Sequence, residues 1–132
     1  MSQIRLNGSG SLYDGGYSYS VTVPPGSTIY TAGISPLDTD GTTVGPNDVT
    51  AQANQCMINL ETALDDAGAS LTDVVKVTIY VAEKMQADLV VAWDVVSQVF
   101  GDHKPAATLV GVTVLGYDDQ LVEIEAIAAV PA

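Results

Sequence analysis

A chain of 132 residues is long enough to bury one core and too short for two ordinary domains, so a single domain over residues 1–132 is expected. Sixteen acidic residues face only Arg5, Lys76, Lys84 and Lys104, a formal net charge of -12, so phosphate backbones and anionic lipids are repelled and neither nucleic acid nor membrane is expected as a partner. Hydrophobic residues make up 47% and charged ones 15%, an excess that points to apolar surface covered by neighbouring copies of the chain.

A short strand is expected at residues 3–6, followed by a polar, glycine-rich stretch to Gly16. The alternating run 17–23 suits a half-buried strand. Pro24-Pro25-Gly26-Ser27 reads as a turn, with residues 28–33 returning as the second arm of a hairpin. Asp38-Thr39-Asp40-Gly41 looks like the start of a calcium loop, but position 49 is Val where a bidentate acid is required, so a surface turn is expected. From 48 to 67, Val49, Ala53, Cys56, Met57, Leu60, Ala63, Leu64 and Ala67 recur at intervals of three and four, the stripe of an amphipathic helix. Asn47 or Asp48 can cap its start, and Gly68 can take the left-handed conformation that ends it.

Residues 74–81 are β-branched and alternating, a strand. In 85–100 the valines at 90, 91, 95, 96 and 99 disfavour helix, while the length and Gly101 favour it; the length decides for helix. Residues 107–114 and 121–130 are two further strands. The last of these, Leu121 to Val130, embeds Glu123 and Glu125 in an apolar run, and alternation puts both acids on one face. Two like charges on a half-buried face need donors, water or a partner subunit, which makes them candidates for chemistry; the alternative is solvent-facing carboxylates on the polar side of an edge strand.

Cys56 is the only cysteine and falls on the buried helical stripe, so it reads as a small core hydrophobe and no internal disulfide is possible. The opening residues lack a signal-peptide pattern and no run reaches the ~20 apolar residues of a bilayer span, so a soluble, cytoplasmic protein is expected. His103 is the only histidine and sits in a turn. No Cys/His cluster, Ser-His-Asp set, GxGxxG or Walker-type loop occurs, and no metal or cofactor is expected.

Gly15-Gly16-Tyr17-Ser18, Thr31-Ala32-Gly33-Ile34-Ser35-Pro36-Leu37, the stretch from Gly68 to Thr78, the stretch Phe100-Gly101-Asp102-His103-Lys104-Pro105-Ala106-Ala107-Thr108-Leu109-Val110-Gly111-Val112, and Tyr117-Asp118-Asp119 before the acidic strand occur in one order across nearly the whole chain. In these segments the chain resembles the RidA/YjgF family of small trimeric imine/enamine deaminases. The resemblance implies an α+β, chorismate-mutase-like fold: a mixed, mostly antiparallel sheet with two helices on one face, packed as a homotrimeric barrel with its active cleft between subunits.

Against the family pattern, the arginine that holds a substrate carboxylate aligns with Ala107, the serine before the glycine of the family's S-G-Q motif with Ala32, a cysteine with Leu109, and an asparagine of the second helix with Trp93. Each difference puts an apolar group where the family has a polar one. Lys104 occupies a basic position that relatives have in addition to the arginine. Tyr17 and Glu123 match, the glutamate as the residue that orients hydrolytic water. The resemblance therefore implies Glu123 and Tyr17 as catalytic residues, and Gly33, Ala32, Trp93, Ala107 and Leu109 as the substrate surround, with backbone N–H groups near Gly33 and Leu109 free to polarise a carbonyl. The activity implied is hydrolysis or another transformation of an imine, enamine or enol-type molecule that is neutral or weakly anionic and partly apolar. The alternatives are an inactive trimer that binds a small molecule or a regulatory partner, and a tautomerase or cyclase of a specialised pathway.

Overall fold

A computed structural model describes residues 4–131 of the chain. Its elements are β1 (Arg5–Asn7), β2 (Ser20–Thr22), β3 (Gly26–Tyr30), α1 (Val49–Asp66), a 3-10 turn at Leu71–Asp73, β4 (Val74–Val81), α2 (Gln86–Phe100), β5 (Ala106–Gly111) and β6 (Val122–Pro131). The expected first strand lies one or two residues later than its sequence reading, and Gln3 is outside the described residues.

The β-branched runs make the centre of a four-stranded sheet in the order β3-β6-β4-β5, with β6 antiparallel to both β3 and β4, and β5 parallel to β4. The parallel pair needs a crossover, and α2 supplies it. One face of the sheet presents Val77, Ile79 and Val81 from β4 and Val122, Ile124 and Ala126 from β6, all essentially buried. Ala53, Cys56, Met57, Leu60 and Leu64 of α1 and Ala92, Val96 and Phe100 of α2 close over them in one continuous core. The two helices thus share a face, as an α+β layer architecture requires.

Local chemistry sets the element ends. Asp48 caps α1 by accepting the Ala51 N–H at 3.0 Å, and Gly68 leaves it at φ +84°. In α2 the valines are helical because Val96 is fully buried and Val95 packs against the core, so tertiary burial overrides a weak propensity. The strand expected at 107–114 stops at Gly111, since Val81, paired with Gly111, is the last residue of β4 and no ladder remains for Thr113 and Val114. Leu60→Ala would leave a cavity where α1 meets the sheet. A loss of about 2–5 kcal/mol is expected in urea unfolding.

The hairpin expected between 17–23 and 28–33 is not formed. β2 pairs with β1, and β3 pairs with β6. Val23 and Pro24 each precede a proline, which drives both towards extended backbone, so the short Val23-Pro24-Pro25 link cannot reverse the chain tightly. The residues before β2 lie instead against β5, where Ser18 bridges Ala106, its N–H reaches the Pro105 carbonyl at 3.3 Å, and its hydroxyl donates to the Lys104 carbonyl.

Candidate functional site

Register places the expected site residues on two different sides of the sheet. Tyr80 of β4 is flanked by Val110 and Glu123, while Ile79 is flanked by Leu109 and Ile124. Ala107 and Leu109 therefore share the helix-side face with Val77 and Ile79, whereas Glu123 shares the open face with Tyr80 and Glu125. Within one chain Glu123 and Ala107 cannot line the same cleft.

The first group is acidic and surrounds Glu123. Gly33 lies against its carboxylate so closely that a Cβ built on Gly33 would come within 2.7 Å of the Glu123 Cδ and closer still to Oε2. Gly33 follows β3 and is held in place by reciprocal backbone bonds between Ile34 and Ile124, at 2.7 and 3.0 Å. Ala32 is exposed beside it. Gln120, 5% exposed, donates from Nε2 to the Ser35 hydroxyl at 2.9 Å and the Val122 carbonyl at 3.1 Å, and reaches Glu123 Oε1 at 3.4 Å. The turn that presents Gln120 is held by buried Gln52, which donates to the Asp119 carbonyl at 2.8 Å and accepts from Leu121 N–H at 2.7 Å. Glu125, two residues on, accepts the Tyr80 hydroxyl at 2.7 Å, and that bond raises the Tyr80 phenol above its ordinary range. Cys56 lies beneath, its thiol 3.6 Å from the Val122 carbonyl; burial, with Glu123 adding to it, pushes the thiol far up and keeps it neutral, as a core residue should be.

The second group is apolar. Gly15, Tyr17, Trp93, Ala107 and Leu109 line a cavity of about 320 Å³, which adjoins a smaller one under Trp93 and Ala107. Tyr17 and Trp93 meet edge to face with centroids 6.4 Å apart, and Tyr19 does the same to Tyr17 at 5.2 Å. Gly15 lets the edge of the Tyr17 ring come close to the backbone, for a Cβ there would sit 3.1 Å from its Cζ and nearer still to a neighbouring ring carbon. Lys104 stands at the rim of the smaller cavity, exposed. His103 is a turn residue whose Nε2 is 2.7 Å from the Val74 carbonyl, which fits its reading as structural.

The structure thus brings Tyr17, Trp93, Ala107 and Leu109 together, and separately brings Gly33, Ala32 and Glu123 together. Sequence reasoning missed Gln120, Ser35 and Gly15. Gln120 is a polar residue entering an apolar strand, a weak signal; the role of Gly15 depends on a ring two residues on and leaves no trace in spacing. Among the described residues no group of three His, Cys, Asp or Glu could hold a metal ion, and no helix is long and apolar enough to cross a membrane.

Gly33→Ala tests the close approach. The clashing group is the tip of a flexible side chain and Gly33 is exposed, so stability should change by only about 0.5 kcal/mol. Glu123 must move aside, and any turnover that depends on it should fall while the melting curve stays in place.

Known proteins resemble the chain in sequence and in fold. The family model described as Endoribonuclease L-PSP matches residues 14–130. A RutC family protein of Pyrococcus abyssi is 39% identical over 83% of this chain and 84% of its own length. A protein of Dermatophagoides farinae named 2-iminobutanoate/2-iminopropanoate deaminase is 32% identical over 85% of each. The crystal structure of YyfB of Yersinia pestis, a Rid family protein of unknown function, superposes with a TM-score of 0.91 at 30% identity, covering 98% of this chain and all of that one.

Proposed function

The chain belongs to the RidA/YjgF family, and from that premise we propose that it transforms an imine or enamine in a cleft completed between two copies of itself, arranged as a homotrimer. The observation that carries this reading is the placing of Glu123: a carboxylate pressed against the backbone of Gly33, with one amide donor from Gln120, on a sheet face that no helix covers. Glu123 of one copy supplies the acid–base group, and the apolar cavity of the next supplies the substrate surround.

In this cleft water adds to the carbon of the C=N bond. Glu123 takes a proton from that water and returns it to the nitrogen, and the carbinolamine collapses to a carbonyl compound and ammonia or an amine. Tyr17 stands beside the apolar cavity, where its phenol can donate a hydrogen bond to the reacting nitrogen or oxygen. The substrate is a neutral or weakly anionic, partly apolar molecule, because Ala107, Leu109, Trp93 and Ala32 offer no cation to a carboxylate. A ribonuclease is a poor fit to the same residues, since sixteen acids against four cations repel a phosphate backbone.

The test is a panel of imines made in situ by oxidases. Neutral and arylalkyl imines should be accelerated, and small imino acids hardly at all. Full-strength turnover of iminopropanoate would overturn the substrate assignment. The absence of any site arginine also favours a second reading, a binding protein without turnover. On that reading no imine in the panel is accelerated, while an apolar ligand still titrates the fluorescence of Trp93, the only tryptophan.

A further inference from the structure

Among the described residues the outer edges of β2 and β3 are bare, and these two strands are neighbours in sequence. Ser18 N–H reaches Pro105 on the side away from β1, while Tyr19 N–H reaches the Asn7 carbonyl and Ser20 is the residue paired with Asn7; Ser20 and Thr22 therefore face β1, and Val21 directs its backbone groups to the outer edge of β2. In β3 the Thr31 N–H donates to Ala126, so the backbone groups of Thr28 and Tyr30 point away from β6. The link between these strands, Val23-Pro24-Pro25, is stiff and extended, and it keeps them from closing on each other in one chain. Among the described residues, six of the thirteen large hydrophobic side chains left exposed lie in this region: Leu6, Leu12, Tyr13, Tyr19, Val23 and Tyr30. Such edges are templates for pairing with another chain.

We propose that residues 4–25 form an exchanged arm: β1–β2 stays docked on its own chain's β5, and the bare edge of β2 pairs with the β3 edge of the next copy. The proposal rests on the intersubunit cleft above. Bringing Gly33 and Glu123 of one copy to Ala107 and Trp93 of another carries β3, which ends three residues before Gly33, towards the β2 that ends five residues after Tyr17. The arm is then a strand shared across the boundary, with the prolines as its hinge. It follows that Tyr17 enters each cleft from the same subunit as Trp93 and Ala107, and that Glu123 comes from the other.

Two variants test this, alongside the mass of the unaltered protein by light scattering. If that mass is one chain, 13.7 kDa, the intersubunit cleft itself fails and the arm proposal with it. If the protein is oligomeric, Ser18→Cys/Ala106→Cys joins paired positions across the docked bridge, a spacing that a disulfide spans; buried Cys56 does not compete. The expected result after oxidation is a single-chain band on a denaturing, non-reducing gel with the native oligomeric mass retained. A ladder of linked chains, or thiols that stay free, would overturn the docking of the arm on its own β5. Thr28→Pro removes an N–H that the isolated chain does not use and puts a ring on the bare edge. Assembly should drop to the single-chain mass with the circular dichroism spectrum of the folded chain unchanged. A folded Thr28→Pro protein of unchanged mass would overturn the pairing with β3. If Thr28→Pro fails to fold, Val21→Pro places the same block on the facing edge of β2, with the same two outcomes.

Discussion

Glu123→Gln should lower kcat/KM for any imine the protein hydrolyses by about 100-fold or more, the usual scale for removing a general acid–base group. The substitution is nearly isosteric, and an amide oxygen can still accept from Gln120 at the same place, so the melting temperature and oligomeric mass should not move. What disappears is the ability to take a proton from water and hand it on. A loss confined to kcat/KM assigns chemistry to Glu123; an unchanged rate removes it from the mechanism. If the protein only binds its ligand, the affinity should scarcely differ between the two forms. Glu125→Gln is the matching control: Glu125 is already engaged by the Tyr80 hydroxyl and lies farther from Gly33, so its loss should leave turnover largely intact.

The contrast between these two acids was only half legible in the sequence. Alternation alone placed Glu123 and Glu125 on one face, and the β4–β6 register agrees, with Thr78 opposite Glu125 and Tyr80 opposite Glu123. Which of the two has a free carboxylate depends on Gly33, ninety residues away, and on Gln120, whose amide is aimed by a turn that Gln52 holds; none of this has a sequence period. The helices were readable for a different reason. In α1 the apolar spacing, the Asp48 cap and Gly68 all agree, whereas α2 is readable by length alone, because, of its valines, only Val95 and Val96 are held by burial against the core and Val90, Val91 and Val99 stay exposed. A β2–β3 hairpin is what the sequence suggests, because both runs alternate and a proline-glycine turn lies between them. The deciding feature was the pair of consecutive prolines, which restricts Val23 and Pro24 more than Gly26 relaxes the turn.

Ala107→Arg should change which substrate is preferred. Position 107 projects from β5 into the apolar cavity beside Trp93 and Leu109, and about 320 Å³ is space enough for a guanidinium that does not disturb the core. A planar fork there can hold a carboxylate through two charge-assisted hydrogen bonds, worth about 1.5–3 kcal/mol in such a setting. That energy corresponds to a gain of roughly 10- to 100-fold in kcat/KM for iminopropanoate and similar imino acids. Neutral arylalkyl imines should lose ground in the same variant, because the arginine fills the space their side chain would occupy and leaves a charge unpaired. Lysine at 107 should give less of both effects, lacking the bidentate geometry. The gain should persist at moderate salt: an anionic substrate must approach a protein of net charge -12, and salt weakens that long-range repulsion more than it weakens a sheltered ion pair. Should Ala107→Arg leave imino-acid turnover where it was while Glu123→Gln abolishes activity, position 107 does not face the cleft that holds Glu123, and the pairing of the two half-sites would have to be redrawn.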